Sequence, residues 1–161
     1  MGEDFWGMDH ADRAMELFLE GYNCAQAVAC AFGDVTGLTT DQAARMASSF
    51  GGGMGRLREV CGTVSGALLV MGIAKGYDDP KDPEAKKAHY HLVQEFARRF
   101  RERSGSIICR ELLEGVDVTP GPDPEKRTPE YYQKRPCPHL ARQAAAILDE
   151  MLDEMSGEEN A

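Results

Sequence analysis

The chain has 161 residues, with 18 basic and 27 acidic side chains and a formal charge of −9. Hydrophobic residues make up 42% of it, which suits one globular domain around one core rather than a disordered chain. The acidic balance is the opposite of what a phosphate backbone attracts, so no nucleic-acid partner is expected.

The predicted elements follow one another as helices. Asp9 caps a first helix, in which Ala11, Ala14, Met15 and Phe18 form one apolar stripe, and Gly21 ends it. Asn23 caps a second, from Cys24 to Phe32, stopped by Gly33. Thr39 or Thr40 caps a third, running to about Ser49. Phe50-Gly51-Gly52-Gly53-Met54-Gly55 is a loop, and a fourth helix starts near Cys61 and stops at Gly76. Asp82 and Pro83 are the cap and first residue of a fifth, which runs to about Arg103. Its inner face is Tyr90, Val93, Phe96, Ala97 and Phe100. A short sixth helix carries Ile107, Ile108, Cys109, Leu112 and Leu113.

From Gly115 to Pro136 the chain holds five prolines and little periodicity. This predicts a long loop, pinned to the core by Tyr131 and Tyr132. The last helix opens at Pro138 and runs to about Met155, with Leu140, Ala144, Ile147, Leu148 and Met151 inward. The acids from Asp149 to Glu159 read as its solvated face, and residues 156–161 are expected to fray. No segment alternates as a strand does. The expected fold is therefore all-α: a single domain over 1–161, a bundle of six to seven helices with a long Pro-rich loop before the last.

The first residues carry neither a basic stretch nor an apolar run, so no secretory signal is expected, and Trp6 stands where myristoylation wants Ser or Thr. The most apolar run, residues 66–74, is too short for a bilayer, which takes about 20 residues in a helix. A cytoplasmic location without a membrane span follows as the expectation. There, cysteines with a purpose are more often catalytic, redox-sensing or metal-bound than cross-linked.

There are five cysteines. Cys24 follows the cap residue Asn23, Cys61 opens the fourth helix, and Cys137 precedes Pro138 as the cap of the last. Free N–H groups and the dipole at a helix start favour thiolate, which is both the nucleophile and the metal ligand. Cys109 lies inside the short sixth helix and, on its own, reads as core. Cys30 is six residues beyond Cys24, on a different helix face, and reads as packing. Gly62 and Gly66 share one helix face. They predict a close approach to the backbone, by another helix in the first instance or by a cofactor beside Cys61. Gly51-Gly52-Gly53 lacks the Lys-Ser/Thr of a P-loop and lets the chain fold tightly beside Cys61. No Cys-x-x-Cys exists, so a haem c attachment motif and a thioredoxin motif are missing. His89 and His91 point apart on a helix, and His10 and His139 read as surface residues.

These segments taken together resemble one family. Gly21-Tyr22-Asn23-Cys24-Ala25-Gln26-Ala27-Val28, Phe50-Gly51-Gly52-Gly53-Met54, Val60-Cys61-Gly62-Thr63-Val64-Ser65-Gly66-Ala67, Gly105-Ser106-Ile107-Ile108-Cys109-Arg110-Glu111-Leu112-Leu113 and Cys137 before an Ala-rich helix are similar to the C_GCAxxG_C_C family. Val60 and Thr63 flank Cys61-Gly62 where the family's name spells Gly and Ala. The resemblance implies redox activity and maps the four characteristic cysteines onto Cys24, Cys61, Cys109 and Cys137, with Cys30 outside the set. It extends more distantly to split-Soret cytochromes, whose iron–sulfur centre, but not whose haem, could carry over.

The leading expectation is that these four cysteines bind an iron–sulfur cluster, most simply [2Fe–2S], for electron transfer. The alternatives are thiol–disulfide chemistry by a pair of them, a helical interaction protein with structural cysteines, and a four-cysteine zinc site. Zinc ranks last, because closely spaced cysteine pairs are missing. The sequence names no electron donor or acceptor, does not decide whether the protein is an enzyme, and is compatible with a homo-oligomer.

Overall fold

The computed structural model describes residues 9–160, and for the last two of these the backbone alone. The signal-segment and myristoylation readings lie outside the described residues. Among the described residues the protein is an all-α single domain with no strand. The elements are α1 (His10–Leu19), α2 (Cys24–Ala31), α3 (Gly33–Thr36), α4 (Thr40–Ala47), a 3-10 turn (Ser48–Phe50), α5 (Gly62–Lys75), α6 (Pro83–Ser104), α7 (Cys109–Leu112), α8 (Pro129–Lys134) and α9 (Cys137–Asn160).

The expected helices are present, and their starts are chemically sealed. Asp9 accepts the Asp12 N–H, and Asp82 accepts the Ala85 N–H ahead of Pro83. Asn23–Gln26 and Thr39–Gln42 are reciprocal capping boxes, each satisfying two otherwise unpaired groups. Two short helices were not expected. The chain does not stop at Gly33 but makes one further turn, α3, ended by Gly37 at φ 75°. The Pro-rich segment contains α8, opened by Thr128 accepting the Tyr131 N–H and by Pro129. A six-residue helix is too brief for periodicity to reveal, although its cap and proline are there to read.

α2 is the centre of the domain. Seven of its eight residues are buried, four of them alanines. Small side chains let α1, α4, α5 and α9 all close onto it. Gln26, its polar residue, is used up by the capping box and by an amide bond to the Ala44 carbonyl at 3.0 Å. Gly66 of α5 faces α2 so closely that an added Cβ would lie 2.5 Å from the Ala25 carbonyl oxygen. α1 packs along α9, and α6 lies against α9 and α5 through the fully buried Phe96 and Phe100. Tyr90 is 50% exposed rather than inward. Tyr90 meets the Tyr77 ring edge-on instead.

The acids of α9 are not simply solvated. Glu150 and Glu154 pair with Arg103 and Arg99 of α6 at 2.6 and 2.8 Å. α9 itself runs on beyond Met155 to Asn160, because Gly157 weakens a helix without ending it. No helix among the described residues is long and apolar enough to cross a membrane.

Candidate functional site

Four chain segments bring four cysteines to one cavity. Cys24 is the first residue of α2, and Cys61 is the residue capping α5. Cys109 opens α7, so it stands at the start of its short helix and not within it. Cys137 is the first residue of α9, one position later than the cap, because the Pro136 carbonyl already accepts the Leu140 N–H at 2.9 Å. All four line a cavity of about 390 Å³, and Cys30 does not.

The backbone fixes two of them relative to each other. Val60 and Ile108 form an isolated antiparallel bridge. The Cys61 N–H donates to the Ile107 carbonyl at 2.7 Å, and the Cys109 N–H donates to the Glu59 carbonyl at 2.6 Å. The glycine loop then closes on the others. A Cβ on Gly51 would collide with the Asn23 side chain, and one on Gly53 would lie 2.7 Å from the Cys109 Cβ. Gly52 and Gly53 also hold φ of 66° and 72°, which favours glycine. The loop therefore folds tightly against the Cys24 and Cys109 segments.

The two glycines singled out in the sequence do different jobs. Gly62 lines the cavity, and its missing Cβ leaves room for the Cys24 sulfur and, at 2.8 Å, the Phe50 carbonyl oxygen. Gly66, one turn on, is a contact between α5 and α2 and is not part of the cavity wall. His139 is exposed and also outside the wall.

Three of the four sulfurs have a hydrogen-bonding partner, and the fourth has a cation beside it. The Gly52 N–H donates to Cys24 Sγ at 3.4 Å. The Thr63 hydroxyl, fully buried, lies 3.1 Å from Cys61 Sγ. Arg58 Nη1 donates to Cys109 Sγ at 3.8 Å. Arg135 lies beside Cys137 and favours the charged form of its thiol. Cys30 has the reverse arrangement: its thiol donates to the Thr40 carbonyl at 3.6 Å, the bond of a structural thiol. Sequence reasoning missed Thr63, Arg58 and Arg135, since arginines outside periodic segments carry no signal of facing inward. The adjacency of Arg135 to Pro136-Cys137 is the one cue available.

Burial outweighs the helix ends in setting thiol acidity. Burial, and after it the neighbouring Cys24, push Cys61 up to about 12. Burial likewise pushes Cys137 up to about 12 and raises Cys24. The direction is opposite to the acidification expected from their positions at helix starts. Among the described residues, no three His, Cys, Asp or Glu side chains are grouped so as to hold a metal ion.

The segment from 115 to 136 forms the cavity's outer wall. Arg127 stacks on Phe18 at 4.1 Å and donates to the Phe18 and Tyr22 carbonyls, both at 3.0 Å. Arg56 donates to the carbonyls of Thr119, Gly121 and Asp123. Tyr132 donates to the Leu19 carbonyl, and both tyrosines pack on the core. Arg135 is 5% exposed, pairs with Glu125 and lies over the Tyr131 ring.

The helical domain thus gathers four dispersed cysteines onto one partly open cavity. The chain belongs to the family described as putative redox-active protein (C_GCAxxG_C_C), whose family model matches residues 22–151. No curated protein and no solved structure matches it.

Proposed function

We propose that Cys24, Cys61, Cys109 and Cys137 bind one iron–sulfur cluster, most simply [2Fe–2S], and that the protein transfers electrons. The observation that carries this reading is the meeting of all four cysteines on one cavity, three of their sulfurs with a hydrogen-bonding partner, while the fifth cysteine faces an acceptor elsewhere. Donors at sulfur stabilise thiolate, the form a cluster requires. Four thiols on one cavity are the donor set of such a cluster. Structural zinc sites are usually built on closely spaced cysteine pairs, which this sequence lacks, and that favours the cluster over zinc.

The cluster would supply reversible one-electron transfer. The chain's own residues hold and shield it. Phe18, Leu112, Leu113 and Leu140 line the cavity and keep its dielectric low. Gly62 keeps α5 close enough for Cys61 and Cys24 to share the cavity.

Anaerobic reconstitution with iron and sulfide tests the reading. The expected product is coloured, with charge-transfer absorption in the visible region. A colourless product that binds no iron overturns it.

A further inference from the structure

We propose that Arg58 and Arg135 are counter-cations of the filled cysteine site and hold its reduction potential up. The inference rests on the cluster reading above.

Charge in the cavity wall runs against charge in the chain. The whole chain carries −9. The wall contains Arg56, Arg58, Arg127 and Arg135 but a single acid, Glu125. Two of these arginines have evident structural work. Arg56 and Arg127 are directed at backbone carbonyls and tie the 115–136 segment down. Arg58 is directed at sulfur, donating to Cys109 Sγ at 3.8 Å, and Arg135, paired with Glu125, lies beside Cys137 and favours its charged form.

Both are held in place at some expense. Arg58 has φ of 63°, a left-handed conformation that side chains other than glycine avoid. Its backbone is fixed there by its N–H donating to the Gly52 carbonyl at 3.1 Å and by the Arg110 N–H donating to its own carbonyl at 3.2 Å. Arg135 is buried, and its carboxylate partner Glu125 also lies 3.8 Å from Arg56. One carboxylate between two guanidinium groups leaves the wall with positive charge to spare.

Four thiolates around a [2Fe–2S] core give the site a net negative charge. With a cluster bound, one electron taken from a one-electron reductant would make the charge of the site more negative by one. Guanidinium groups beside two of the four sulfurs favour the more negative form, and the low dielectric of the cavity magnifies the effect. Arg58 and Arg135 act through Cys109 and Cys137, so they are positioning residues for the couple and not ligands.

The test is a spectroelectrochemical titration of anaerobically reconstituted full-length protein, with iron and acid-labile sulfide counted for each sample. Arg58→Gln should keep its iron and sulfide but favour reduction at least tenfold less. For a one-electron couple that is about 59 mV more negative. Arg58→Lys, which keeps the charge, should recover at least half of the shift. Arg135→Gln and Arg135→Lys should behave in parallel, and if burial prevents either from folding, the Arg58 pair decides. Full iron and sulfide with an unchanged potential in Arg58→Gln overturns this inference alone. Lost iron with an unchanged potential in the remaining filled sites also overturns it, since that is a purely structural role. No iron in the unaltered protein overturns the cluster reading, and this inference falls with it.

Discussion

Val60 and Ile108 pair as a single antiparallel bridge, and each immediately precedes a cysteine of the cavity. One residue on from this pair, Cys61 enters α5 and Cys109 enters α7. Forty-eight positions of sequence separation are thereby removed by a few backbone hydrogen bonds, with no sheet required. Cys24 and Cys137 are then added by α2 and α9, which meet in the core.

The glycines of α5 should separate cleanly by environment. Gly62→Ala and Gly66→Ala each place a methyl group against α2, and overpacking of this kind costs about 1–3 kcal/mol. Gly72→Ala, in the same helix, meets nothing within 4 Å. It should instead stabilise by about 0.5–1 kcal/mol through helix propensity. Urea unfolding of the three variants checks the opposite signs.

His10 ties three helices by charge, although its sequence position reads as surface. It lies 2.6 Å from Asp149 and 2.8 Å from Asp34, and its ring stacks on Phe32 at 4.0 Å. The hydrogen bond to Asp149 leads in raising its pKa from 6.5 to about 9. A folded-state value above the unfolded one stabilises the fold fully below about pH 6.5 and is lost as pH rises through about 9. Solvent screening of a half-buried pair leaves about 1 kcal/mol of this. Denaturation midpoints should therefore fall between these pH values, and His10→Ala should remove that part of the slope.

Arg127 should govern the outer wall independently of the cysteines. Arg127→Ala removes its stack on Phe18 and two bonds to carbonyls. About 1–3 kcal/mol of local stability should go with them. Hydrogen exchange should accelerate across 116–128 while α2 stays protected. Unchanged exchange in that segment would show that its prolines and Arg56 suffice to hold it.

Much of this was legible in the sequence because it is local. The caps at Asp9, Asn23, Thr39 and Asp82 are decided by side chains within three residues, and the inward stripe of α9 by helical spacing. The four cysteines were legible through a family resemblance and, for Cys24, Cys61 and Cys137, through helix starts. What was not legible is tertiary. Cys109 owes its place at the start of α7 to a bridge with residue 60. Burial, which a sequence position does not disclose, reversed the expected acidity of Cys61 and Cys137. Arg58 and Arg135 face sulfur only because the glycine loop and the 115–136 segment fold over the same cavity.

The most direct test of the central claim is the iron and acid-labile sulfide content of the anaerobically reconstituted protein, compared with five single Cys→Ser variants. The unaltered protein and Cys30→Ser should carry matching iron and sulfide, since Cys30 lies outside the cavity wall. Cys24→Ser, Cys61→Ser, Cys109→Ser and Cys137→Ser should each lose most of it. An unaltered protein without iron, or a loss confined to Cys30→Ser, would contradict the account.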